Sequence, residues 1–364
     1  MTENNKCLPI NSSYDYLIAN SFLHDFSITQ ALSAAFNIQL IDLLLSHQSL
    51  TVKEMVVKTS ADTQGLQYLL GMLVAGNIVR KNGNSVSLSL EFKRALSYRD
   101  FIEAQIAFAN LVADDIVKFF PLLLESSEKF MSEAALFELF DYSRAMEFSE
   151  ANLAFTRRWM HFTTALTRYE GSVCGSHHDF SHYQTMMDIG GNSGEFVYQL
   201  CRQFPNLHAT VVDLPLVCDI GRGHVDKHPQ GSHLAVSTRI NFCKANALVD
   251  TLPGGYDLIS FKSILHDWPE PAVRQFIRNS VSSLRPGGKL LIFERDLIDP
   301  AANNTAFFLL PMLLFFRSFR NPCLYEQILK EEGFVDIQID YLQLETVFFL
   351  LTAVKGDQPV NASS

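Results

Sequence analysis

Between about residue 184 and residue 295 the chain repeats one pattern four times. TMMDIGG, ATVVDLP, DLISFKS and KLLIFER are short apolar runs that each break off at a glycine, an acid or a lysine. Stretches of helical periodicity separate them. Short apolar strands alternating with helices fold compactly when the strands lie parallel and the helices cover their faces. The pattern predicts an α/β, doubly wound (Rossmann-like) sheet. VDIQIDYLQ and TVFFLLTAV follow almost without a break, so this pair predicts an antiparallel edge to the sheet.

The front half reads differently. From Phe22 to about Ser46, Ile28, Leu32, Ala35, Phe36, Leu40, Leu43 and Leu44 recur at helical spacing. Thr51 is placed to cap one short helix and Thr63 or a neighbour a second. Asn82-Gly83-Asn84 lies between apolar runs and predicts a hairpin. Two short helices and a hairpin make a winged helix. The segment 106–180 is helical and rich in aromatic residues, suited to core packing and to walling a small-molecule pocket. The expected organisation is an arm over 1–20, a helical winged-helix dimerisation domain over 21–105, pocket helices over 106–180, the sheet domain over 181–355 and a tail over 356–364.

Charge and composition narrow the function. The chain has 364 residues with Lys+Arg 29 against Asp+Glu 39, a net charge of −10. A winged helix that binds DNA needs a basic face, so this one is expected to pack or dimerise. No nucleic-acid partner and no membrane partner are expected. The most apolar stretch, Ala306–Phe316, is shorter than the roughly 20 residues a membrane span requires and contains Pro311. The polar start shows no secretory signal. The 6 cysteines are scattered with no C-x-x-C pair, which fits reduced thiols, a cytoplasmic location and no metal site.

Three positions carry chemistry. Asp188-Ile189-Gly190-Gly191-Asn192-Ser193-Gly194 ends a strand and opens a helix, bringing bare backbone against a ligand. It is not a dinucleotide fingerprint, because Ile189 stands where G-x-G-x-x-G needs its first glycine. Asp213 ends the next strand, where an acid accepts hydrogen bonds from ribose hydroxyls. Together the two imply an adenosine-type ligand. His266 follows a third strand on the same edge, and Glu294, at the end of a fourth, is placed to orient it.

DIGGNSG, VVDLP, FKSILHDWPE, LRPGGKLLIFE and the closing EEGF resemble the S-adenosylmethionine-dependent small-molecule O-methyltransferases of the caffeate and hydroxyindole type, in order and spacing over about 180–355. The resemblance implies that Asp188, Gly190, Gly191 and Asn192 hold the methionine part of S-adenosylmethionine, and of its product S-adenosylhomocysteine. Asp213 with Leu214 would hold the ribose, Asn246 and Ala247 the adenine, and Lys262 the cofactor carboxylate. His266 would be the general base, flanked by Glu294. Two positions depart from the family. Asn246 stands in place of an Asp, and Asn321 lies near the place of a second Glu that flanks the histidine. Transfer to a hydroxyl is expected. Without the second acid, transfer to a thioether or amine, which needs no base, is the alternative. A SAM-sensing winged-helix binding protein is the alternative of another class. Tyr142, Trp159, Met160, His161 and Thr164 are the expected acceptor contacts, with Leu309–Arg320 as the facing wall. Arg317 or Arg320 would pair with an acidic acceptor. A homodimer is expected.

Overall fold

The computed structural model describes residues 12–23, 25–228, 234–298, 306–315 and 318–356. It divides into two compact units, one of residues 1–118 and 301–313, the other of residues 119–300 and 314–364. Arg317, most of the N-terminal arm and nearly all of the tail lie outside the described residues.

In the first unit the apolar stretch after Phe22 forms two helices, Phe26–Asn37 and Leu40–Ser46, rather than one. Gln39 takes a left-handed φ of 59° and breaks the run. Thr51 caps the helix Val52–Lys58 in a capping box with Glu54, and Asp62 rather than Thr63 caps Thr63–Ala75. Strands β1 (Leu50–Thr51), β2 (Val79–Asn82) and β3 (Ser85–Leu88) form a small antiparallel sheet in the order β1-β3-β2. Gly83, at φ 58°, makes the hairpin turn. Among the described residues no single helix is long and apolar enough to cross a membrane. The pair Phe26–Asn37 and Leu40–Ser46 reaches that length only across a 70° bend. Its Leu32, Leu40, Ile41 and Leu44 are buried within the unit.

The second unit holds the sheet. Strands β4 (Thr185–Ile189), β5 (His208–Asp213), β6 (Ile240–Lys244), β7 (Tyr256–Lys262), β8 (Leu284–Arg295), β9 (Phe334–Gln343) and β10 (Val347–Lys355) are ordered β6-β5-β4-β7-β8-β10-β9. The pairs from β6 to β8 are parallel, and β10 runs antiparallel to both β8 and β9. The sheet is α/β, doubly wound, with the antiparallel C-terminal edge that the sequence predicts. The order reverses at β4, between β5 and β7. In open α/β sheets ligands bind at such a switch point, beyond the carboxyl ends of the strands. Met187, Ile189, Val212, Ile259, Phe261, Ile292 and Phe349 fill the core beneath it. Burial on both faces explains why these strands read as apolar runs rather than alternating ones.

Candidate active site

The turn after β4 is built from unusual backbone. Gly190 and Gly194 have φ of 67° and 76°, and Asn192 has φ of 56°. At Gly190 the left-handed φ favours glycine, and a Cβ there would also lie 2.0 Å from Ile264 Cδ1, so that side chain would have to move. Asp213, at the end of β5, fixes the turn from the side. Its Oδ2 accepts from the Asn192 backbone N–H at 2.8 Å, and its Oδ1 accepts from the N–H of Leu214 at 2.7 Å. Burial raises the Asp213 carboxyl to about 6, although those two backbone bonds pull it down. Burial likewise raises Asp188 to about 7, against a short bond from Ser260 Oγ to its Oδ1.

Helix Glu150–His177, capped by Ser149, braces the same turn. Asn192 Nδ2 donates to Thr163 Oγ1 at 2.9 Å, and Thr164 Oγ1 bonds Ser193 Oγ at 2.8 Å. Thr164 is thus engaged with the glycine turn. On the same helix Trp159 and Met160 are buried, while His161 is exposed. Beyond β6, Asn246 Oδ1 accepts from the Leu248 N–H at 3.0 Å, and its own N–H is taken by Asp250 at 2.8 Å. The adjacent Ala247 is buried. Asn246 therefore spends its carbonyl on the local turn.

Lys262 ends β7. Its Nζ donates to Thr167 Oγ1 at 2.9 Å and forms a short ion pair with Glu170. Glu170 also takes Arg295 at 2.6 Å, and Arg295 reaches Glu345 at 2.5 Å. All four charged side chains are buried. Burial opposes ionisation of Glu170, but the two cations beside it hold its carboxyl below the usual range.

His266 lies in the short turn after β7. Its Nδ1 is 3.0 Å from Glu294 Oε1 and 3.3 Å from Oε2, so the carboxylate receives an N–H from that nitrogen. The other nitrogen, Nε2, is 3.2 Å from Asp267 Oδ1. Tyr142 Oη donates to Asp267 Oδ2 at 2.9 Å. Burial works against the charged imidazole, but Glu294 and Asp267 outweigh it and raise the His266 pKa. Burial also raises Asp267, and raises Tyr142 well above the ordinary phenol value. The Tyr142 ring lies edge-on to Trp159 at 5.4 Å and stacks with Trp268 at 6.3 Å.

Asn321 does not stand beside His266. Its Oδ1 accepts from the Cys323 N–H at 2.9 Å and caps the helix Pro322–Glu331. The neighbour of His266 on this segment is Phe319, with ring centroids 5.0 Å apart. Arg320 is also committed, donating from Nη1 to Leu265 O at 2.9 Å and from Nη2 to Trp268 O. Of the expected facing wall Leu309–Arg320, residues 309–313 belong to the first unit and 314–320 to the second. Sequence reasoning gave no role to Asp267 or Thr163, and Phe319 entered only as part of the facing wall Leu309–Arg320. Asp267 had a usable signal, since it adjoins His266 in the same turn.

Asp188 Oδ2, Asn192 Oδ1 and Ser263 Oγ are buried without a partner among the described residues. They sit at the ends of the neighbouring strands β4 and β7. Ser263 also holds a left-handed φ of 50°. Unpaired buried polar atoms and strained backbone at a sheet switch point make these residues the candidate ligand contacts.

The fold is that of a doubly wound sheet protein, with the glycine turn, Asp213 and His266 gathered at the carboxyl edge of its strands. The chain belongs to the O-methyltransferase domain family, which matches residues 134–335, and residues 20–89 match the O-methyltransferase dimerisation domain. A similar curated protein is 3-hydroxy-5-methyl-1-naphthoate 3-O-methyltransferase of Streptomyces sahachiroi. It is 36% identical over 116 residues, 32% of each chain. The acetylserotonin O-methyltransferase of Mus musculus is 29% identical over 147 residues, 39% of this chain and 37% of that protein. These matches span about a third of the relatives' length. Among solved structures, human N-acetylserotonin methyltransferase in complex with S-adenosylmethionine superposes with a TM-score of 0.68. It is 19% identical, with 98% of this chain and 100% of that chain covered. At that identity the likeness bears on the fold alone.

Proposed function

We propose that this protein binds S-adenosylmethionine and transfers its methyl group to a hydroxyl oxygen of a small molecule, with His266 as general base. The contact of His266 Nδ1 with Glu294, at the strand edge that carries the glycine turn, is the observation that supports this reading most directly. An imidazole held through Nδ1 presents Nε2 as the atom that takes a proton. Glu294 fixes the tautomer and stabilises the imidazolium that results. Asp267 borders Nε2 and is itself held by the Tyr142 hydroxyl.

The residues suit the cofactor. The unpartnered Asp188 Oδ2, Asn192 Oδ1 and Ser263 Oγ offer it polar contacts, and Gly190 and Gly191 offer bare backbone. Asp213 and Leu214 would hold the ribose, with Asn246 and Ala247 nearer the base. Lys262 keeps a third proton for the carboxylate beyond its two protein partners. When bound, S-adenosylmethionine supplies a methyl group already activated on a sulfonium. The protein's own part is to align the acceptor and remove its proton. Tyr142, Trp159 and Met160 are the proposed acceptor contacts, and an aromatic border of this kind favours a flat acceptor.

The family match over residues 20–89 supports a homodimer formed through the first unit. Mass-spectrometric screening of the protein with S-adenosylmethionine against phenols, hydroxy acids, thioethers and amines tests the reading. Methylated phenols or hydroxy acids are expected. Methylation of thioethers or amines alone would replace it with a base-free reaction.

A further inference from the structure

We infer that Glu195, His224 and His228 form a binding site for a divalent transition metal of the zinc class, where the first turn of helix Glu195–Gln203 meets the end of helix Pro215–Asp226. The two histidines are four residues apart, so a helical turn and its exit bring them to one side. Both present Nε2 to the same carboxylate. Glu195 Oε2 is 2.5 Å from His224 Nε2 and 2.9 Å from His228 Nε2. The three ligand atoms all lie within 4.8 Å of one another.

Two imidazole nitrogens and one carboxylate oxygen suit zinc, cobalt, nickel or iron, rather than magnesium or calcium, which take oxygen ligands. A tetrahedral ion with bonds of about 2.0–2.1 Å separates its ligand atoms by about 3.3 Å. The two Glu195–histidine spacings fall short of that by about 0.8 and 0.4 Å, a displacement within rotamer adjustment. On binding, each Nε2 gives its lone pair to the metal, and its proton moves to Nδ1 or to solvent.

The carboxylate is positioned as a ligand would be. Glu195 is fully buried, and its Oε1 is held by Arg168 Nε at 3.3 Å and by Gln199 Nε2 at 2.6 Å. Supporting bonds of this kind orient a ligating group and tune its affinity. The His228 ring stacks on Tyr198 with centroids 3.6 Å apart and planes within 15°, which fixes the direction of its Nε2. The His224 side chain is 19% exposed, giving the ion a way in and leaving a fourth position for water. The Arg168 guanidinium opposes a second positive charge and limits how tightly the ion is held. The ion would tie together the helices that follow β4 and β5, the strands whose ends carry the glycine turn and Asp213.

Co²⁺ titration of the full chain, chelator-treated and free of a histidine tag, tests the site. Visible d–d absorption saturating at one ion per chain is expected, with displacement by Zn²⁺. Losing a supporting bond around a metal typically costs 10–100-fold in affinity, so loss of a ligand in His224→Ala should cost at least about a hundredfold. Zn²⁺ should raise the melting temperature of the wild type and not that of the variant. His224→Gln keeps the side-chain volume and provides the same comparison should His224→Ala fail to fold. No saturable Co²⁺ band, or equal titration of wild type and variant, overturns the site.

Discussion

The Phe319 ring packs against the ring of His266, 5.0 Å between centroids, while Asn321, two residues on, caps a helix. The imidazole therefore has carboxylates near both nitrogens, Glu294 and Asp267, and an apolar ring against it. Phe319→Glu is expected to put a third carboxylate there, favour the imidazolium and move the pH midpoint of activity upward. Asn321→Ala removes a cap worth about 0.5–2 kcal/mol of stability and should leave that midpoint in place. pH–rate profiles and urea melts of the two variants separate these outcomes. A midpoint shift in Asn321→Ala with none in Phe319→Glu would assign the segment the other way.

His266→Ala should lose 10²–10⁴-fold in turnover with cofactor affinity nearly unchanged. Because Glu294 and Asp267 raise the His266 pKa, wild-type activity should fall with decreasing pH from a midpoint above the ordinary value of about 6.5. The sign for stability is opposite. The raised folded-state value stabilises the fold fully below the unfolded pKa, and this contribution is lost as pH rises through the folded one. Steady-state kinetics from mildly acidic to mildly alkaline pH, with melts of wild type and variant, check both. A variant retaining more than about a tenth of the turnover would remove His266 from the base role.

Asp213→Ala should weaken S-adenosylmethionine binding by roughly 1.5–3 kcal/mol, the range for a hydrogen bond to a charged group. The backbone N–H groups of Asn192 and Leu214 lose their acceptor at the same time. Since burial raises Asp213 to about 6, wild-type affinity should also decline as pH falls through that value. Calorimetry at several pH values measures both effects. Equal affinity in wild type and variant would place the ribose elsewhere.

Asp188, raised to about 7 by burial, makes a stability prediction of its own. Between its unfolded value near 3.9 and that figure, the folded chain binds the extra proton. Its contribution therefore favours the fold at low pH and is lost as pH rises towards 7. Asp188→Asn removes this dependence, so the stability difference between wild type and variant should change between pH 5 and pH 7.5 in urea melts, with wild type losing ground at the higher pH. A pH-independent difference would show that Asp188 is ionised throughout.

Glu170→Ala leaves Lys262 and Arg295 buried without their shared acid and should destabilise the fold by about 3–5 kcal/mol. Glu331→Ala, which breaks an exposed, solvent-screened pair with Arg274, should cost far less. Urea unfolding of both variants makes the comparison.

The sheet was already legible in the residue pattern. Four apolar runs ending at Gly190, Asp213, Lys262 and Glu294 must be strands buried on both faces, and parallel pairing places their ends along one edge. The pattern also singled out His266 and Glu294, because each follows or ends one of those strands. Which way side chains point was decided only by tertiary packing. Thr164 and His161 lie three residues apart on one helix, yet one braces the glycine turn and the other is exposed. Residue order gives no reason to prefer Phe319 over Asn321 as the partner of His266. The start of the helix at Pro322 decides it, by drawing Asn321 to the cap. Asp267 reaches His266 Nε2, and Glu195 meets His224 and His228, through contacts set by the turn after β7 and by the packing of two helices. Periodicity records which face of an element is buried, while the meeting of particular polar atoms depends on rotamers and on neighbours distant in sequence.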